Sequence, residues 1–276
     1  MIFLKKHMHN FIDVHSHVHD KAFDEDRGVV ILEMEEKGFA TITVGTDIVE
    51  SKKAVETAEK YSHVWATVGM HPVDNRTEVF DRDAYKALLM HQKVVALGEC
   101  GLDYFHIQKF EGNKDAEIDR QHTLFMEQIE LAAECDKPLM LHGRPDVGMD
   151  AYEDMLFILK NAHTRLGNKV RGNAHFFVGD MNIAQQFNDL GFTVSFSGVI
   201  TFAKMYEELV RAIPLDMMHA ETDSPYATPT PHRGKRNTPL YVEHIYEKIA
   251  DIKGLSKEEV RVQLVKNAVR VFGLTN

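Results

Sequence analysis

Two histidines one residue apart, in Asp13-Val14-His15-Ser16-His17, are the first residues whose types and spacing could do chemistry. In an extended chain, residues two apart face the same way, so both imidazoles can turn toward one cation. A surface His-x-His in a histidine-rich amino terminus is the competing account, because His7, His9 and His19 surround the pair. What separates the two is where other ligand types fall. Glu99, His142, His175 and Asp223 each follow a short β-prone run. Imidazoles mixed with carboxylate oxygens suit Zn, Mn, Mg or a similar divalent ion. The only cysteines, Cys100 and Cys135, form no CxxC pair, so neither a disulfide framework nor a thiolate zinc site is indicated.

Such residues act together only if the fold brings them to one place. Short β-prone runs alternate with longer amphipathic segments along the chain, the pattern of a parallel sheet with crossover helices. Eight strands are expected, at Phe11 to Val14, Ala40 to Val44, Val64 to Val68, Val94 to Leu97, Leu139 to Leu141, Arg171 to Ala174, Thr193 to Phe196 and Met217 to Ala220. The crossovers include Ser51 to Tyr61, opened by a serine N-cap, and Leu124 to Cys135. Two further helices follow a loop from Ser224 to Pro239, the last opened by a Ser256/Glu259 capping box. Eight strands in this length suit an α/β fold of the (β/α)8 TIM-barrel type, one domain over residues 1–276. No GxGxxG follows the first strand to suggest a dinucleotide site.

In such a barrel, residues at the carboxyl ends of the strands line the active site. His15, His17, Glu99, His142, His175 and Asp223 fall there, six side chains from five predicted strands. A lone residue of this kind is usually a satisfied structural group, but unpaired carboxylates gathered there would carry a large desolvation cost. Six ligands exceed one tetrahedral ion and suit two ions about 3.5–4 Å apart that share a carboxylate. Glu99 is the expected bridge. Two such ions against Glu99 and Asp223 leave the site cationic, which favours an anionic substrate such as a phosphoester. Asp223, Glu99 and His71 are the expected catalytic residues. Arg144, His71 and Arg233 are the expected substrate contacts, with a structural ion pair for Arg144 and a bland rim histidine for His71 as competing roles. The loop bearing His232, Arg233, Lys235 and Arg236 either guides a phosphodiester strand or is merely solvated. Phe105, Phe176 and Phe202 either stack on bases or fill the core.

The motifs FIDVHSH, VGMHP, ALGECGLDY, PLMLHGR, HFFVG, SFSGVITF, ETDSPY and RNTP run in order from Asp13 into the last third of the chain. Taken together they resemble the TatD family of metal-dependent deoxyribonucleases. The resemblance implies a TIM barrel of the amidohydrolase-like superfamily and metal ligation by His15, His17, Glu99, His142, His175 and Asp223. It also implies hydrolysis of DNA by a metal-activated hydroxide, as a 3′ to 5′ exonuclease on single strands, with Mg, Mn or Zn. Two motifs depart from the family: its HCFSG stands here as His175-Phe176-Phe177-Val178-Gly179, and its HSRxA as His142-Gly143-Arg144-Pro145-Asp146. Both lie beside the site and touch substrate preference more than metal binding.

A formal net charge of −10 disfavours a broad duplex-gripping surface, so contact with DNA, as single strands or 3′ ends, is expected to be local. No run approaches the ~18 apolar residues of a membrane span, and the opening lacks the layout of a secretory signal. A cytosolic monomer without membrane contact is expected. Two other readings remain: an amide, lactone or aminoacyl-ester hydrolase using the same site, and a non-catalytic barrel that keeps metal for stability.

Overall fold

The structure, a computed structural model, describes residues 9–274; His7 lies outside them. β-branched and apolar residues build the first half: β1 (Phe11–Ser16), α1 (Arg27–Lys37), β2 (Phe39–Val44), α2 (Ile48–Lys60), β3 (Val64–Val68), α3 (Arg82–Leu89), β4 (Val94–Asp103) and α4 (Lys114–Glu134). The second half continues through β5 (Leu139–Arg144), α5 (Ala151–Leu166), β6 (Gly172–Ala174), α6 (Met181–Asp189), β7 (Phe192–Phe196), α7 (Glu207–Ala212) and β8 (Met218–Ala220). α8 (Val242–Lys253) and α9 (Lys257–Phe272) complete it. All eight strands pair in parallel and in chain order, β1 to β8, as a (β/α)8 barrel requires. Closure comes just beyond β8: the His17 N–H donates to Ser224 O at 2.7 Å and the Asp223 N–H to His15 O at 2.9 Å. Asp13 adds to this seam by accepting from the Thr222 N–H at 2.9 Å and the Thr222 hydroxyl at 2.5 Å.

The expected strands all exist; β3 keeps its expected ends and the others differ at one end or both. β4 runs on past Leu97 to Asp103, and its register against β5 slips between Leu97 and Cys100. β1 slips against β2 between Asp13 and Ser16. β6 and β8 start one residue later than expected, at Gly172 and Met218. α2 begins at Ile48, capped by Asp47, whose side chain accepts from the Glu50 N–H; Ser51 is buried one turn inside instead of capping. An aspartate at the cap also favours the positive end of the helix dipole. α4 starts ten residues before Leu124, capped by Asn113, because its polar first turns carry little apolar periodicity. The Ser256/Glu259 capping box forms as expected at α9.

A large apolar cluster fills the space between strands and helices, and a smaller one gathers Ile12, Val14, Ile42, Trp65 and Met140 with Val265, Ala268 and Phe272 of α9. The strand ends that carry the polar site thus stand on a frame whose packing does not involve them.

Candidate metal centre

The six singled-out side chains converge at the carboxyl end of the barrel: His17, Glu99, His142, His175 and Asp223 line a cleft of about 940 Å³, and His15 is buried beside them. Two irregular steps place the first of them. His15 sits in the register slip of β1, and Glu99 occupies the slip of β4. A bulge of this kind re-aims a side chain that a regular pleat would send elsewhere. His142 lies within β5, His175 directly follows β6, and Asp223 stands three residues beyond β8 with a left-handed φ of 53°.

Glu99 is the centre of this arrangement. Its Oε1 lies 2.7 Å from His175 Nε2 and 2.8 Å from His142 Nδ1. Its Oε2 lies 3.4 Å from His15 Nε2 and 3.9 Å from His17 Nε2. Asp223 Oδ1 completes the second side, 3.5 Å from His17 Nε2 and 3.7 Å from His15 Nε2. Two donor groups able to hold a divalent ion therefore share one carboxylate: His15, His17 and Glu99, and Glu99, His142 and His175. Both nitrogens of the enclosed His15 ring lack a hydrogen-bond partner. An unsatisfied buried imidazole is costly, and a cation on Nε2 would remove half of that cost, so the donor set fits the ions the sequence implies.

The electrostatics point the same way. Burial pushes the Glu99 carboxyl up, but His175, His15 and His142 together hold it well below the usual carboxylate range. Burial pushes His17 and His142 down; Asp223 and Glu99 nevertheless raise His17 to about 9, and Asp103 and Glu99 raise His142 to about 9. His15, the most enclosed, is lowered by burial and by His175. The raised values of His17 and His142 mark positions where positive charge is favoured.

Around this centre the rim residues divide. His71 lines the cleft, its Nδ1 2.9 Å from Asp74 Oδ1 and its Nε2 3.8 Å from Glu99 Oε1. Arg144 is exposed, lines the cleft and lies 4.0 Å above the Phe105 ring; no carboxylate comes within 4.0 Å of its guanidinium among the described residues, which removes the ion-pair alternative. Arg233 is held similarly, 4.0 Å over Phe202 and donating to Thr228 O at 2.7 Å. Phe105 and Phe202 are therefore platforms for guanidinium groups, and Phe176 and Phe202 line the cleft itself. The rest of the basic loop does not reach the site. Arg236 is anchored to Asp26 at 2.6 Å and 2.9 Å and to Ala22 O at 2.7 Å, His232 stacks on Tyr241 at 3.9 Å, and Lys235 points to solvent. Asn237 ties the loop down by donating to Thr222 O and Tyr226 O. His9 meets Trp65 edge-on, away from the cleft.

Several residues at the site escaped the sequence reading, Asp103, Glu221, Asp74 and His19 among them. Asp103 lies 3.1 Å from His142 Nε2, Glu221 lies 3.4 Å from His175 Nδ1, and Asp74 backs His71. His19 lines the cleft with its Nδ1 2.7 Å from Thr43 Oγ1, and burial, with His17 and Arg27 adding, holds it well below its ordinary pKa. A signal existed for two of them. Asp103 is four residues beyond Glu99 in GECGLD and Glu221 is two before Asp223 in ETD, so each lies close along the chain to a residue already singled out.

Comparison with known proteins agrees with this geometry. Residues 12–273 match the sequence model of a family described as TatD related DNase. The chain is 38% identical over 265 residues to the uncharacterized metal-dependent hydrolase YabD of Bacillus subtilis (strain 168), covering 94% of this chain and 98% of that one. It is 36% identical over 206 residues to the uncharacterized metal-dependent hydrolase YcfH of Escherichia coli (strain K12), covering 74% and 72%. Among solved structures, the TatD homolog YJJV from Escherichia coli K12 superposes with a TM-score of 0.85 at 24% identity, over 98% of this chain and 100% of that one. A hydrolase TatD family protein from Entamoeba histolytica does so at 0.81 and 22% identity, over 97% and 99%. At those identities the superpositions speak for the barrel alone. The sequence matches run from the first strand to the end of the last helix, and on that ground the chain belongs to the TatD family of metal-dependent hydrolases.

Proposed function

We propose that this protein is a deoxyribonuclease that hydrolyses phosphodiester bonds, trimming single-stranded DNA from 3′ ends as a cytosolic monomer. His15, His17 and Asp223 would hold one divalent ion, Mg, Mn or Zn, and His142 and His175 a second, with Glu99 available to both groups. The observation that carries the reading is the division of Glu99 between two donor groups, Oε1 facing one and Oε2 the other. When bound, such ions supply Lewis acidity for the phosphoryl oxygens and make water acidic enough to attack near neutral pH.

The protein's own groups supply the rest. Asp223, half-buried beside His17, orients the attacking water and takes its proton. His71, held at Nδ1 by Asp74, presents Nε2 to the cleft and protonates the leaving oxygen. Arg144 and Arg233, each 4.0 Å over an aromatic ring and paired with no carboxylate among the described residues, hold non-bridging phosphate oxygens through their planar donors. The DNase description of the family supports DNA as the substrate. No helix among the described residues is long and apolar enough to cross a membrane.

The test uses purified protein with Mn²⁺, end-labelled single-stranded DNA and a parallel panel of esters and lactones. Metal-dependent shortening from the 3′ end is expected. Asp223→Asn should lower that turnover by about 10²–10⁴-fold, the span of a general-base contribution, with the fold unchanged. Hydrolysis confined to the ester panel would overturn the nuclease reading, and unchanged turnover by the variant would remove Asp223 from it.

A further inference from the structure

Glu221 is fully enclosed, and among the described residues no lysine or arginine pairs with it. A carboxylate in that position is costly unless donors surround it. It has three. Oε1 accepts from the Phe176 N–H at 2.7 Å and faces His175 Nδ1 at 3.4 Å, while Oε2 accepts from the Ser195 hydroxyl at 2.5 Å. Phe176 delivers its N–H from a left-handed φ of 45°, a conformation non-glycine residues rarely adopt unless their surroundings impose it.

Beneath Ser195 the hydrogen bonds continue as a column across β6, β7 and β8. His219 Nε2 meets Thr193 Oγ1 at 2.9 Å, Thr193 donates to Asn173 Oδ1 at 3.1 Å, and Asn173 Nδ2 donates to Ser195 Oγ at 2.8 Å. All these donors run in one sense if His219 carries its proton on Nε2, toward Glu221, and hydrogen bonds chained in one sense polarise each other. All five residues are buried, so the column is not made to meet solvent.

We infer that Glu221 is a positioning residue: its carboxylate holds the His175 ring in the tautomer and orientation that leave Nε2 aimed at Glu99 and the adjoining ion, and the column holds Glu221. Two neighbours follow the same plan. His142 has Asp103 behind Nε2 at 3.1 Å, and His17 donates from Nδ1 to Val44 O at 2.7 Å. Partners behind a ligating imidazole fix its tautomer and raise its basicity. The carboxylate also lies within reach of a cation together with His15 and His175, but its Oε1 accepts the Phe176 N–H and its Oε2 the Ser195 hydroxyl, which favours a place behind His175 over ligation. The inference rests on the proposal that His175 ligates a cation.

Metal affinity, not hydrolysis, is the readout. Mn²⁺ is titrated into metal-free wild type, Glu221→Gln and Ser195→Ala, counting free ion by EPR, with melting curves to confirm folding. Glu221→Gln is expected to weaken Mn²⁺ binding about 10–100-fold, the usual cost of losing such a partner. Ser195→Ala should lose less in the same direction, and the double variant no more than Glu221→Gln, since Ser195 acts through Glu221. A purely structural role would lower the melting temperature and leave affinity untouched. Wild-type affinity in folded Glu221→Gln overturns the inference; if that variant does not fold, wild-type affinity in Ser195→Ala does so. A crystal structure of the Mn²⁺-loaded protein with a Glu221 oxygen at ~2.1 Å from an ion would also overturn it, making Glu221 a ligand. A protein that binds Mn²⁺ as expected but cleaves no DNA would end the nuclease reading and leave this one standing.

Discussion

His17 and His142 hold protons that any incoming cation must displace. Each is buried, which alone would lower its pKa, yet Asp223 and Glu99 for the first and Asp103 and Glu99 for the second raise it to about 9. The unfolded chain would protonate them near ~6.5. A raised folded-state pKa stabilises the fold fully below the unfolded value and progressively less as pH rises through the folded one. The metal-free protein should therefore lose stability between pH ~6.5 and about 9, and a metal that takes these imidazoles as neutral ligands, as proposed, should remove that loss. Over the same window Mn²⁺ affinity should rise, up to ~tenfold per pH unit for each proton released. Calorimetry in two buffers of different ionisation enthalpy would count those protons. An affinity flat across the window would mean that these two histidines do not carry them. Asp103 shows this only in three dimensions: its closeness to Glu99 in GECGLD marks it as near the site, but only the pairing of β4 with β5 puts it behind His142.

At the scale of the elements, the decisive features are two slips in strand register. A regular β4 would alternate its side chains without interruption; the slip between Leu97 and Cys100 brings Glu99 to the mouth instead. Gly98 makes the slip possible. It takes φ of 149°, and a Cβ there would stand 2.3 Å from Met140 O, a backbone atom that cannot move aside. Gly98→Ala should therefore destabilise the barrel by at least ~1–3 kcal/mol and displace Glu99, read as a lower urea midpoint together with weakened Mn²⁺ binding. A variant with wild-type stability and affinity would show that the slip tolerates a side chain. The strand order and the Ser256 capping box were legible in the chain, because periodicity and caps are local. The slips were not, since a register is a relation between two strands, and neither the start of α4 nor the Asp47 cap of α2 announced itself through apolar spacing.

The molecule as a whole separates what holds it together from what it does. Its two apolar clusters pack strands, helices and α9 without drawing on the six candidate ligands. Chelation should accordingly abolish hydrolysis while the barrel stays folded, as judged by circular dichroism and a cooperative melt. Collapse of the fold on chelation would instead assign the metal a structural role. The types of the ligands, their order along the chain and the alternation that carries them to strand ends were determined by the sequence alone, because each depends on neighbours within a few residues. Other features were decided by the tertiary structure: the division of Glu99 between two donor groups, the carboxylates behind His142 and His175, and the anchoring of Arg236 on Asp26 while Arg233 reaches the cleft. Each is a distance between atoms far apart along the chain, set only when the eight strands curl and close, and no spacing along the chain encodes it.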